Sequence, residues 1–212
     1  MDIYASDEEK AEEIKQWWRD NGRSIIAGVV IGVAAVFGGR YWLNYQQVQA
    51  EHASVIYQQS AAYISQQDTE AAQAATQELM QNYKSTAYAV FAAMQMAESS
   101  VNQGELSAAE DYLSWVVDHA ELNSHQELAK LRLARLMFSQ GKNEQALELT
   151  TASEVSAFSS LFAELEGDIK LAMGDKAAAH AAYQRAVLSL AAGEPRQRLL
   201  QMKIDDVMSH EG

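Results

Sequence analysis

The side chains that most often carry chemistry are poorly placed for it in this chain. Of five histidines, only His119 and His125 lie close in sequence. A separation of six residues sets them on different faces of any helix, so they do not make the i, i+4 pair that grips zinc. They are expected to be solvated surface histidines. Glu110-Asp111 and Asp205-Asp206 are adjacent carboxylates, which diverge along a helix and read as ordinary exposed charge. The chain has no cysteine, which removes thiol nucleophiles, thiolate metal sites and any disulfide framework. Glycine-rich phosphate loops, HExxH and GxSxG are absent as well. No catalytic residue, cofactor or metal ligand is therefore expected. A hydrolase whose groups converge from distant positions is kept only as a third reading.

Charge narrows the partners. There are 16 basic against 29 acidic residues, a net −13. The first 40 residues hold five of the basic and seven of the acidic ones, leaving 11 against 22, or −11, for the rest. Such a domain repels phosphate backbones, so nucleic acid is not an expected partner. Within it, Lys130, Arg132 and Arg135 stand among Leu131, Leu133 and Leu136 on a helix expected over about Gln126 to Gln140. They form a candidate peptide groove that would meet a carboxylate of a client. Base rates for surface charge favour the other reading, in which some of them pair with nearby Glu127 or Glu164 and contribute little.

The elements that would position these residues show a period. Gly104, Gly141 and Gly174 each sit in a polar turn and are followed five residues later by Ala109, Ala146 and Ala179. Seven residues before each comes a small residue, Ala97, Ala134 or Gly167. The separations of 37 and 33 bracket the tetratricopeptide (TPR) repeat length of about 34. An earlier, degenerate copy fits with Ser60, a turn at Gln67-Asp68, and Ala72, and the last clear copy adds Tyr183 and Ala186. Two antiparallel helices need small residues where their backbones cross and a glycine where the chain leaves the first helix. One pair cannot bury its own apolar face, so pairs stack. The predicted fold is all-α: a single N-terminal transmembrane helix followed by a TPR-like α-solenoid, with Arg196 to Met208 as a capping helix. One proline, Pro195, agrees with long uninterrupted helices.

The run from Ser24 to Gly39 contains no charged residue. Extended to Leu43 it reaches roughly 30 Å, the hydrocarbon thickness of a bilayer. Acidic residues before it and bulky ones after it argue against a cleaved signal peptide. Trp17 and Trp18 at one end and Arg40, Tyr41 and Trp42 at the other are expected at the membrane interfaces, an arrangement a soluble core helix has no reason to show. Lys10, Lys15, Arg19 and Arg23 precede the run, whereas after Arg40 no Lys or Arg occurs until Lys84. The positive-inside rule then leaves the N-terminus cytoplasmic and sends the remainder to the periplasm. Within the run, Gly28, Gly32, Ala35 and Gly39 form a stripe where another membrane helix could approach closely. Glycine is also common in such helices for no special reason, and both readings stand.

The resulting division is a cytoplasmic amphipathic tail over 1–22, a transmembrane helix over 23–43, a helical linker and start of the array over 44–66, and a periplasmic TPR-like domain over 67–212. The tail is expected as a short helix opened by a Ser6/Glu9 capping box and closed at Asn21-Gly22.

The segments Met1 to Tyr4, Ile14-Lys15, Trp17-Trp18, Asn21-Gly22, Ala27 to Val33, Arg40 to Trp42, Leu131 to Arg135, Gly174 to Lys176 and Gln201 to Asp206 carry a resemblance. The chain resembles the YfgM family, ancillary subunits of the SecYEG translocon, over its whole length. The resemblance implies one inner-membrane anchor, a complex with SecYEG and the membrane-anchored chaperone PpiD, and a scaffold or chaperone role in passing newly translocated polypeptides to periplasmic chaperones. It supplies no catalytic residues. The alternative from the residues is a regulatory membrane protein whose tail, around Ile14 to Trp18, binds a cytoplasmic signalling protein.

Overall fold

The computed structural model describes residues 7–150, 156–191 and 193–209. The described residues form helices throughout, joined by short turns: α1 (Asp7–Ser65), α2 (Thr69–Asn82), α3 (Ala87–Gln103), α4 (Leu106–His119), α5 (Asn123–Ser139), α6 (Asn143–Leu149), α7 (Ser156–Ala172), α8 (Lys176–Leu188) and α9 (Arg196–Ser209). The chain divides into two compact units, before and after residue 50.

The first unit is the N-terminal part of α1. Its best apolar stretch has mean hydropathy 1.7 and only 6% of it is buried, unlike the core helix of a soluble protein. Ile26, Val30, Ile31, Phe37 and Leu43 are all exposed, so the helix is apolar on every side. Among the described residues it is the one helix long and apolar enough to cross a membrane. The expected break at Asn21-Gly22 does not occur. Gly22 stays helical, Asn21 Nδ2 donates to the Trp17 carbonyl at 3.0 Å, and the Trp18 ring covers Gly22. A glycine ends a helix only where the chain turns to positive φ, and here it does not. Ser6, the expected cap, lies outside the described residues.

The second unit begins in α1, within the segment expected as helical linker and start of the array. Ala53 and Ser60 are fully buried, and Ser60 Oγ hydrogen-bonds Thr76 Oγ1 of α2 at 3.0 Å. Ala53, Leu79, Ala89 and Ala92 close a first cluster among α1, α2 and α3. A second joins α3, α4 and α5 through Val90, Leu113, Val116 and Leu133, and a third joins α5, α6 and α7 through Leu131, Ala146, Phe162 and Ile169. Successive clusters share a helix, so each pair is buried by its neighbour, as a stacked array requires.

Two kinds of glycine make the pairs possible. Gly104, Gly141 and Gly174 have φ of 79°, 76° and 84°, a left-handed conformation that ends the first helix of each pair. A Cβ at these positions would touch nothing within 4 Å, so conformation is what demands glycine there. In the degenerate copy Gln67 occupies the same turn at φ 60°, at a cost of roughly 1 kcal/mol for an L-residue. Gly167 is the opposite case. It is helical, and a Cβ there would fall 2.4 Å from the Tyr183 ring, which is itself 1% exposed and has nowhere to move.

The last pair is closed by α9. Leu200, Ile204 and Val207 are buried with Ala179, Tyr183 and Ala186. Lys203 Nζ lies 2.9 Å from Glu164 Oε1 and 2.7 Å from Asp168 Oδ1, while Arg196 reaches Glu164 Oε2 and Ser160 Oγ, both at 3.0 Å. Burial alone would push the Lys203 ammonium down. The hydrogen bonds and charges of Asp168 and Glu164 outweigh it and hold the group above its usual value. Tyr183 donates to Asp168 at 2.8 Å, and burial and that carboxylate drive its phenol far up.

Gly167→Ala should overpack the α7–α8 crossing and destabilise the array by about 1–3 kcal/mol. Thermal unfolding of the full chain, followed by circular dichroism, would register a clearly lower midpoint.

Candidate functional site

The three cations on α5 do not share one face. Successive residues turn by roughly 100°, so Lys130 and Arg132 point about 200° apart. Lys130 is half-buried with Nζ 5.7 Å from the centre of the Phe162 ring on α7, a cation–π contact. Arg132 and Arg135 are exposed. Arg132 borders a cleft of about 280 Å³ together with Met94, Val101, Leu113 and Leu136, between α3 and α5. The expected pairings with Glu127 and Glu164 are not formed among the described residues. Glu164 is taken by Arg196 and Lys203. Glu127 is only 8% exposed and its Oε2 has no protein partner.

A second cleft, of about 650 Å³, adjoins the first and shares Glu98 and Asn102 with it. It lies between the α1–α2 turn and the C-terminal half of α3, and amides line much of it: Gln67, Gln95, Asn102 and Gln103. Gln103 is tied down, accepting from Thr69 Oγ1 at 3.2 Å and donating to Ser99 Oγ at 2.9 Å. Gln95 Oε1, by contrast, is buried without a donor. Sequence reasoning missed this cleft because it sought charges and nucleophiles. The available signal was Gln95, Glu98, Ser99 and Asn102 at i, i+3, i+4 and i+7, one polar face on a helix that also buries Val90, Met94 and Ala97.

The titratable pairs separate in the structure. His119 is exposed and stacks on Trp115 with ring centres 4.6 Å apart. His125 is half-buried, contrary to expectation, and meets Phe91 edge-on at 5.4 Å; Phe91 in turn lies 6.3 Å from Tyr57. An aromatic column thus crosses α1, α3 and α5. No group of three or more potential metal ligands assembles among the described residues. Glu110 is not ordinary exposed charge: its Oε1 accepts from Lys142 Nζ and from Gln140 Nε2, each at 2.6 Å. The Lys142 bond, against the opposing effect of burial, holds the carboxyl below its usual 4.5. It thereby fastens the α5–α6 turn to α4.

On the apolar helix, a Cβ at Gly28, Gly32 or Gly39 would meet nothing within 4 Å, and Ala35 is likewise exposed. Trp17, Trp18, Tyr41 and Trp42 are exposed, with Trp42 tilted against Tyr45 at 6.2 Å, and Arg40 is exposed beside them.

Stacked helix pairs, left-handed turns after each first helix and small residues at each crossing define a tetratricopeptide-like repeat protein with an apolar N-terminal helix. The family profile described as a tetratricopeptide repeat-like domain matches residues 15–209. Proteins named ancillary SecYEG translocon subunit are similar along nearly their full length. That of Haemophilus influenzae is 31% identical over 95% of this chain and 97% of its own. That of Aggregatibacter actinomycetemcomitans is 32% identical with the same coverage, and that of Escherichia coli is 28% identical over 98% and 99%. The chain belongs to this family of ancillary SecYEG translocon subunits.

Two outcomes follow from the side-chain placement. Lys130→Ala should cost about 0.5–1 kcal/mol through the lost Phe162 contact, whereas exposed Arg132→Ala should stay within about 0.5 kcal/mol of the parent, as read by urea unfolding. Because the folded Glu110 carboxyl titrates below its unfolded value near 4.5, its stabilisation is complete above that value and is lost as pH falls through the lower folded value. Glu110→Gln should therefore show a shallower loss of stability than the parent between about pH 5 and pH 3 in acid unfolding.

Proposed function

We propose that this protein is a single-pass ancillary subunit of the SecYEG translocon in the bacterial inner membrane, with its N-terminus cytoplasmic and its repeat array periplasmic. The reading is carried by the full-length similarity to translocon subunits, together with one helix suited to a bilayer. Orientation rests on the excess of Lys and Arg before the apolar run. The array acts as a scaffold or chaperone that passes newly translocated polypeptides to periplasmic chaperones, including a PpiD-like membrane-anchored one. Its stacked pairs suit that work, because a solenoid offers an extended surface held by rigid helices. Nothing in the role calls for catalysis.

The stripe of Gly28, Gly32, Ala35 and Gly39 is the proposed contact with another membrane helix. The spacing of small residues along one helix face supports it, since backbones can approach closely there.

Purification of the native protein from membranes in mild detergent should recover SecYEG and a chaperone, and their absence would refute the role. The double replacement of Gly28 and Gly32 by leucine should reduce that recovery severalfold while leaving the fold of the array intact. Unchanged recovery would dismiss the stripe as the contact.

A further inference from the structure

Because α1 runs unbroken through Asn21-Gly22, residues on either side of that point share one helical surface. Lys15, Arg19 and Arg23 then recur at i, i+4 and i+8, a row of cations that drifts around the helix by only about 40° per step. All three are exposed, and none forms an ion pair among the described residues. Carboxylates do stand nearby: Glu12 lies three residues before Lys15, and Asp20 three before Arg23. Asp20 also follows Arg19 directly, but is turned from it by about 100°. The neighbours that share a face with Arg19, three and four positions away, are Lys15, Gln16, Gly22 and Arg23, with no acid among them. Like charges at this spacing repel, so the row gains from an anion placed across it.

Position supplies the anion. The charge-free run opens at Ser24, directly after Arg23. A helix that spans with this run holds Arg23 at the edge of the hydrocarbon and Arg19 about 6 Å further out, within a headgroup layer of roughly 5–8 Å. Lys15 falls about 12 Å out, and its flexible stem reaches back toward the same layer. Glu12 and Glu13 lie beyond it, in water. We propose that Lys15, Arg19 and Arg23 form a headgroup site for an anionic phospholipid, with Arg19 and Arg23 forked on its phosphate. A guanidinium matches a pair of phosphate oxygens better than an ammonium does. The net negative charge of the headgroup, absent from a zwitterionic lipid, answers the third cation. Counting Lys and Arg sets orientation alone, whereas the row exists because Gly22 does not break the helix. The inference rests on the proposed membrane span, and needs neither SecYEG nor a particular orientation.

The full chain in dodecyl maltoside would be titrated with phosphatidylglycerol and, separately, with phosphatidylcholine of the same acyl chains, bound lipid being counted by native mass spectrometry. Phosphatidylglycerol should bind saturably and about fivefold more tightly, and added salt should narrow the difference. Arg19→Gln should weaken phosphatidylglycerol about fivefold and leave phosphatidylcholine unchanged, and Arg19→Lys should lose less. Lys10→Gln, on the far side of the helix from Arg19, should change neither lipid. The comparison of the two lipids needs no variant, so it stands even where a substitution disturbs the helix. Equal affinity for the two lipids would overturn the inference, as would an Arg19→Gln chain that keeps the parent's preference. Displacement of the lipid by an equal concentration of inorganic phosphate would overturn it too, since the row would then be reading a free anion. So would an acidic cytoplasmic protein that is lost from membrane co-purification in Arg19→Gln while lipid preference is unchanged. SecYEG recovery without lipid preference would remove this site alone. Lipid preference without SecYEG recovery would uphold the site and remove the translocon role.

Discussion

Close approach of paired helices through small residues is the constraint on which the array depends. Ala97 with Ala109, Ala134 with Ala146 and Gly167 with Ala179 are buried where larger side chains would force the backbones apart. Bringing the helices together in this way makes their turns short, and a short turn after a helix needs a left-handed residue, which Gly104, Gly141 and Gly174 provide. Each pair then presents an apolar face that only its neighbour can cover. Interaction surface, core clusters and the terminal cap all follow from that one requirement.

A stacked array must end somewhere, and the end carries its own physics. The last pair would expose its apolar face, so α9 lays Leu200, Ile204 and Val207 over it and turns Met202 and Met208 outward. Packing alone does not select the register of such a short helix. Lys203 and Arg196 do so by meeting Glu164 and Asp168 of α7, partly shielded from water, where an ion pair is worth more than at an open surface. The apolar part of α1 obeys a different rule. It has no polar face to turn outward, which suits a hydrocarbon solvent and no aqueous one.

The candidate surface shows why charge is an incomplete guide to recognition. Lys130, Arg132 and Arg135 look like one basic patch in the linear sequence, yet helical rotation sends Lys130 onto Phe162 and leaves Arg132 at a cleft with α3. The most distinctive polar lining belongs to neutral amides on α3, and a search for nucleophiles and charges passes over them. Glu110 makes the same point in reverse. An acidic residue that reads as surface charge is instead a strut between α4 and the next turn, because Lys142 and Gln140 arrive there from another repeat.

Local spacing determined much of this protein. The apolar run, the glycine turns and the small residues at fixed offsets specify an all-helical array with an apolar N-terminal helix, since backbone conformation and solvent transfer act residue by residue. Even the degenerate copy was legible, through Ser60, Gln67 and Ala72. Tertiary structure alone decided that Gly22 does not break α1 and that His125 joins an aromatic column with Phe91 and Tyr57. It also decided which cations lie at a groove and which cover a ring. Those outcomes depend on what a neighbouring repeat, some thirty residues away, brings against each side chain, and such contacts have no local signature.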